Sequence, residues 1–458
     1  MIRQKRPTPF SIDLLLSGWW WLPGLLIFGG GFYALYHDIP PWNVLWYVFG
    51  WFGYLLVLDA VIYWIRGHSF LTHRRIELLE MLFWSIPFWF LFEAYNFVLD
   101  NWYYVYALNS NWQQGIFAFL AYATVLPACF FHAEFLKAAG LFRNHSITPV
   151  NIHRGLKQFF FWFGMLCIIL PLLFPRYAFW MVWGATLGVP DYLNYRNGAP
   201  SILGDLEEGR PGRLYRLLIG GLMSGFVWEG LNYWARCKWI YTVPGLEEWK
   251  LFEMPILGFL GFPVLAVEAF AFYSLLNYYL RGSRSWEVPD ALQLGLHRSV
   301  WYGRAALVGV GFSLITYFGI LDESLTSRRV TYQQLNPTSE GVVKNLERID
   351  IHTPAQLFGH LSAHGIQEIS ERADVSAETL EELDQVLRFA LHKGMGVPNA
   401  QLLREAGLQE IRDLSDADSN RLHARLQEIA LNRGMEPPTI HEIRIWVRAS
   451  RFAGKTRR

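Results

Sequence analysis

Charge is scarce in this 458-residue sequence: Asp, Glu, Lys and Arg make up 17% of it, against 52% hydrophobic residues. So apolar a composition excludes a soluble globule of this length. Cysteine is scarcer still. Cys129, Cys167 and Cys237 are odd in number, fall in or beside apolar runs and share no spacing, so neither a disulfide framework nor a metal knuckle is expected. Signatures of several chemistries are missing altogether. There is no clustered-His desaturase motif, no Asp-rich prenyl-diphosphate motif, no P-loop, no HExxH and no GxSxG. Neither a metal nor an organic cofactor is implied.

What the chain has is repeated apolar runs of bilayer length, "LLLSGWWWLPGLLIFGGGFYALY" and "VLWYVFGWFGYLLVLDAVIYWI" among them. The first is too long for a cleaved signal peptide. About nine spans are expected, near residues 14–36, 44–66, 76–99, 115–136, 159–174, 177–194, 214–235, 253–280 and 303–321. The fifth and sixth are short enough to form a re-entrant hairpin. Arg3, Lys5 and Arg6 place the N-terminus in the cytoplasm by the positive-inside rule. Arg66, Arg74 and Arg75, then Lys137, Arg143, Arg154 and Lys157, then Arg196, Arg210, Arg213 and Arg216, then Arg281, Arg284, Arg298 and Arg304 continue the alternation. Only the loop with Arg236, Lys238 and Lys250 dissents. Nine spans from an inside N-terminus put the C-terminal part outside the inner membrane.

Two stretches can be superimposed. "FWSIPFWFLFEAYNFVLDNWYYVY" (83–106) lies on "IGGLMSGFVWEGLNYWARCKWIY" (219–241), matching Glu93 with Glu229, Asn96 with Asn232, and Trp102 and Tyr104 with Trp239 and Tyr241. Upstream, Trp51, Asp59 and Tyr63 meet Trp183, Asp191 and Tyr195. Two four-span units, about 14–136 and 159–280, are therefore expected to be related by an axis along the membrane normal, with 303–321 as an extra span. The fold class is all-α: a polytopic transmembrane helical bundle with a small soluble helical domain.

An acid in hydrocarbon costs several kcal/mol unless it is paired or protonated. Glu229, Asn232 and Arg236 share one helical stripe with Gly225, as Glu93, Asn96 and Asp100 do with Trp89. Both stripes should face a polar interior, and Asp100 is a candidate partner for Arg236. Gly258, Gly261 and Glu268 share a face in "FEMPILGFLGFPVLAVEAFAFY", where Pro255 and Pro263 are expected to kink the span. The register sets Glu268 against His132 as an acid/base pair. Candidate acid-base residues are Glu93, Glu229, Glu268 and His132. Asn96, Asn232, Trp239, Tyr241 and Asp59 are candidate ligand contacts, although the Trp and Tyr positions also suit an outer aromatic belt.

The segments "WEGLNYWARCKWIYTVP" and "FEMPILGFLGFP", at 228–244 and 252–263, resemble a group of uncharacterised bacterial polytopic membrane proteins. That resemblance implies no activity. A looser similarity is to integral-membrane carotenoid cyclases, whose proline-acid-acid signature is absent here.

After a linker at 322–340 the character changes. Residues 322 to 458 hold 18 Lys and Arg against 20 Asp and Glu. "GVPNAQLLREAGLQEIRDLSDADSNRLHARLQEIA" reads as helix, turn, short helix, cap and helix, with Leu402, Leu403, Ile411, Leu414, Leu422 and Leu426 as core and Asp413 or Ser415 as cap. With an earlier unit of the same rhythm, and "PPTIHEIRIWVRASRF", the tail resembles a domain family of unknown function built from two helix-hairpin-helix-like units over roughly 340–455. Such units commonly bind DNA phosphates. Here "KGMGVPNA" supplies Lys393, Gly394 and Gly396, but the domain's net acidity argues against nucleic acid and for a protein partner or self-association. The functional expectation is acid-base chemistry on, or binding of, a lipid-soluble isoprenoid or lipid. A proton- or cation-coupled transporter and a membrane-anchored assembly factor are the alternatives.

Overall fold

A computed structural model describes residues 17–243, 249–282, 286–287, 301–319, 324–335 and 339–453. Arg3, Lys5, Arg6, Arg284 and Arg298 lie outside the described residues. Chain that meets lipid must close its backbone hydrogen bonds internally, so the apolar runs are helical. The principal helices are α1 (Trp21–Tyr36), α2 (Trp46–Arg66), α3 (Arg75–Leu99), α4 (Asn111–Tyr122), α5 (Val125–Ala138), α6 (Arg154–Leu173), α7 (Gly188–Asn197), α8 (Gly212–Trp234), α9 (Gly261–Arg281) and α10 (Tyr302–Gly319). Among the described residues, five helical segments are long and apolar enough to cross a membrane: Trp42–Arg66, Arg75–Leu99, Asn111–Ala138, Arg154–Leu173 and Ile256–Arg281.

Two of the expected spans are interrupted. Residues 115–136 divide between α4 and α5, and Ser85 of α3 closes the break: its hydroxyl donates to the Tyr122 carbonyl at 2.5 Å and accepts from the Leu126 amide at 3.0 Å. Residues 177–194 are three short pieces, Pro175–Ala178, Phe179–Gly184 and α7. Here the chain breaks so that Gly188 can lie against the α6 backbone, where an added Cβ would sit 2.6 Å from Gly164 Cα. Nor does Pro255 kink a helix. It ends a two-residue strand, and Pro263 falls in the first turn of α9, where no amide partner is lost.

Matching contacts recur along the chain. Asp59 accepts from the Phe70 and Leu71 amides at 3.0 and 3.4 Å, and Asp191 accepts from the Ile202 and Leu203 amides at 2.7 and 3.0 Å. Each aspartate thereby caps the short helix that follows its span.

The two WxY stretches form strands, β1 (Trp102–Val105) and β2 (Lys238–Tyr241), which pair antiparallel with Trp102 opposite Tyr241 and Tyr104 opposite Trp239. Side chains alternate across such a ribbon. Trp102, Tyr104 and Tyr241 enter the core of the membrane bundle, with Trp239 packed against it, while Tyr103, Val105 and Ile240 enter the core of the tail. Part of the expected linker is structured too. Leu325 bridges to Tyr104 and Arg328 to Ala107, covering the free edge of β1.

The tail holds α11 (Glu340–Glu347), α12 (Pro354–His364), α13 (Ile366–Ala373), α14 (Ala377–Ala390), α15 (Gly396–Glu405), α16 (Ile411–Asp416), α17 (Ser419–Asn432) and α18 (Ile440–Ala453). Leu402, Leu403, Leu414, Leu422 and Leu426 are buried as expected, and Ile411 packs against them partly exposed. The cap differs. Asp413 accepts from the Gln409 and Glu410 amides and so starts α16, whereas Asp418 caps α17 by accepting from the Arg421 amide at 2.9 Å.

Candidate functional site

Glu93, in α3, is buried with four donors on its carboxyl group. Trp89 Nε1 donates at 2.8 Å, Tyr104 Oη at 2.5 Å and Tyr122 Oη at 3.1 Å to Oε1, while Trp102 Nε1 donates at 3.3 Å to Oε2. Glu229 occupies the matching place in α8, also fully buried, with one donor: Tyr241 Oη at 2.8 Å to Oε1. Glu229 Oε2 has no hydrogen-bond partner. The Trp89 and Trp228 rings lie 5.0 Å apart. The hydroxyl and indole donors, with Tyr47, Trp228 and Trp239, wall a narrow cavity of about 40 Å³ at the ribbon end of the bundle.

This corrects the reading of the WxY residues as an outer aromatic belt. Trp102 is 4% exposed and Tyr241 8%, because ribbon pairing turns them inward onto the glutamates. The asparagines act on the ribbon itself. Asn96 donates to the Trp102 carbonyl at 2.8 Å and accepts from the Asn101 and Trp102 amides, and Asn232 donates to the Trp239 carbonyl at 3.0 Å and accepts from its amide at 3.1 Å. Both amides thus fold the strand back over the acid of their own helix.

His132 and Glu268 are not hydrogen-bonded to each other. Tyr54 Oη lies 2.8 Å from His132 Nε2 and the Ala128 carbonyl 2.7 Å from its Nδ1, whereas Glu268 accepts from the Thr186 amide at 3.0 Å. Glu268 Oε2 is buried without a hydrogen-bond partner. Helix α9 approaches α8 at Gly221 and not through Gly258 or Gly261: a Cβ on Gly221 would lie 2.4 Å from the Phe262 carbonyl oxygen and 2.8 Å from Ala266 Cβ. Asp59 spends Oδ1 on its capping bonds, and its Oδ2 is buried without a hydrogen-bond partner. Arg236 meets Asp38 at 3.5 Å in place of Asp100, whose backbone is left-handed, with φ 49°.

The sequence reading missed Tyr122, which lies in an apolar run with no polar neighbour to mark it, and a three-membered cluster at the tail interface. Glu253, 2% exposed, holds Lys238 Nζ at 2.7 Å and Lys393 Nζ at 3.2 Å. These pairings neutralise part of the loop that dissented from the positive-inside pattern. Burial alone would raise the Glu253 pKa, but the two ammonium groups outweigh it and hold the carboxyl below its ordinary range. A carboxyl depressed in the folded state contributes stability that is present above its unfolded pKa and lost as pH falls through the folded one. Docking of the tail should therefore weaken below about pH 4. E253Q should weaken it by about 1–3 kcal/mol at pH 7 and remove the Glu253 part of the acid dependence, read by hydrogen exchange across β2.

Among the described residues, no group of three or more His, Cys, Asp or Glu side chains is placed to hold a metal ion. No curated protein and no solved structure matches the chain. Residues 337–451 match the family model Domain of unknown function (DUF4332), which covers the tail from just before α11 into α18.

Proposed function

We propose that the protein is a multi-pass inner-membrane protein whose two tandem units enclose a binding chamber for a lipid-soluble molecule, an isoprenoid or other lipid, with Glu229 and Glu93 supplying its polar, acid-base end. One observation carries this reading: the hydroxyl and indole groups that wall the cavity are the same groups that hydrogen-bond Glu93 and Glu229. A molecule of isoprenoid size needs more room than the 40 Å³ present, so the rings must part to admit it, and it then meets an acid at a water-poor site. Glu229 is the better acid for a ligand, because one of its oxygens is uncommitted. The matched capping by Asp59 and Asp191, and the antiparallel pairing of the two WxY strands, support the tandem-unit arrangement. Arg66, Arg74, Lys137 and Arg216 line one hollow, at the ends of α2, α3, α5 and α8 away from the ribbon, which supports a cytoplasmic N-terminus and a tail outside.

The tail is then the outer lid of the chamber. Its Lys393-Gly394-Met395-Gly396 hairpin, the part of a helix-hairpin-helix-like unit that would meet phosphates, is turned onto Val105 and Glu253, which supports a protein-facing role over nucleic acid. Purification in mild detergent followed by mass spectrometry of the organic extract tests the chamber. The wild type should retain a defined lipid-soluble molecule, and E229Q should lower its occupancy about tenfold, the effect of losing one strong polar contact. An extract containing only bulk lipid, or equal occupancy in both proteins, would refute the reading.

A further inference from the structure

At the end of the bundle away from the tail, two hollows of about 610 and 540 Å³ meet. Lys137, Arg143, Arg216 and Glu287 line both. The cations come from separate parts of the chain: the segment after α2, the end of α5, the loop beyond it and the first turns of α8. A positive-inside bias alone requires cations at this end of the helices, but no concavity and no convergence.

The acids here are already committed. Glu134 meets Arg66 at 2.7 Å, Arg74 at 3.2 Å and Lys137 at 3.5 Å. Glu287 meets Arg213 at 2.8 Å and Lys137 at 3.8 Å, and Asp205 meets Arg213 at 2.6 Å. Two guanidinium groups remain over. Arg216 reaches only the Leu141 carbonyl, at 3.3 Å, and Arg143 has no carboxylate partner among the described residues. Both face the shared wall, with His68 at the rim of one hollow and His145 at the rim of the other.

We infer that this basin binds a phosphate or diphosphate group, with Arg143 and Arg216 as its ligating residues. Planar guanidinium forks match the paired oxygens of a phosphoryl group, and partial desolvation in a hollow strengthens such bonds over those on an open surface. The group can arrive as the head of an anionic lipid or as a free anion; the chemistry recognised is the same.

The full-length protein in uncharged detergent, titrated with pyrophosphate and with inorganic phosphate and followed by thermal unfolding, tests the free anion. Native mass spectrometry after reconstitution with phosphatidylglycerol and phosphatidylcholine tests the headgroup. R143Q is the primary variant, since this exposed side chain holds nothing in place. It should weaken half-saturation about tenfold, and R143Q/R216Q about a hundredfold. R154Q/R196Q, which removes two exposed cations outside the basin, should leave binding unchanged. Saturable stabilisation by pyrophosphate that R143Q weakens supports a free anion. Retention of phosphatidylglycerol over phosphatidylcholine, lost in R143Q without an effect of free anion, supports a lipid headgroup. If R143Q and R154Q/R196Q behave alike in both arms, the basin is only the ordinary positive edge of a membrane protein and the inference fails.

Discussion

Replacing Gly394 with alanine should loosen the tail from the membrane bundle and expose β1 to solvent exchange. Gly394 has φ +77°, a left-handed conformation that costs a side-chain-bearing residue about 1–2 kcal/mol. Its added Cβ would also lie 2.3 Å from Val105 Cβ, an overlap that only backbone movement can relieve, at about 1–3 kcal/mol more. Neighbouring bonds follow the hairpin: the Gly394 amide donates to Tyr106 Oη at 3.2 Å, and Tyr106 Oη donates to the Ala390 carbonyl at 3.2 Å. A displacement there therefore loosens a whole patch. Hydrogen exchange of a peptide spanning residues 102–105 is the measurement, with at least tenfold faster exchange expected in G394A. G359A, at a helical glycine with nothing within 4 Å, should change nothing. Unaltered exchange in G394A would show that the ribbon stands without the tail.

Most of the helices were legible because the bilayer imposes a length and an apolar composition that the runs around α2, α3, α6 and α9 meet plainly. The places where the reading failed depend on partners far along the chain. The α4–α5 break is closed by Ser85, 37 residues before the carbonyl it satisfies, and within 115–136 Pro127, in the first turn of α5, is the residue that marks its place. The ribbon is similar. "NWYYVY" and "CKWIY" look like aromatic belts in isolation, and only their mutual pairing and the tail beneath them turn the rings inward. The aligned Glu-Asn pairs did point to the candidate site. What alignment could not reveal is that the asparagines are spent on strand backbone, or that the two acids are unequally satisfied. Residue types set the match, whereas the number of donors around each acid depends on neighbours such as Tyr122 that the surroundings of Glu229 do not reproduce.

That inequality yields the last prediction. Removing Glu93 should be far more damaging than removing Glu229. In E93A the indoles of Trp89 and Trp102 and the hydroxyls of Tyr104 and Tyr122 lose their acceptor, and only the Tyr104–Tyr122 contact at 3.0 Å remains to satisfy part of the set. Each buried donor left unpaired costs about 1–3 kcal/mol, so a loss of about 4 kcal/mol or more is expected, at the upper end for a single substitution. E93Q keeps one acceptor oxygen and turns an NH2 group toward the remaining donors, for an intermediate loss of about 1–3 kcal/mol. E229Q behaves differently. Its amide oxygen can still accept from Tyr241, and its NH2 group replaces an oxygen that bonds nothing, so stability should change by less than about 1 kcal/mol. Thermal unfolding in detergent, followed by tryptophan fluorescence, orders the three. The ordering also separates the two roles an intramembrane acid can have. If E229Q unfolds like the wild type yet empties the chamber, Glu229 holds a ligand and Glu93 holds the ring of donors around it. If instead E229Q unfolds as readily as E93A, both acids are interior fastenings, and the uncommitted Glu229 oxygen is no evidence of a ligand.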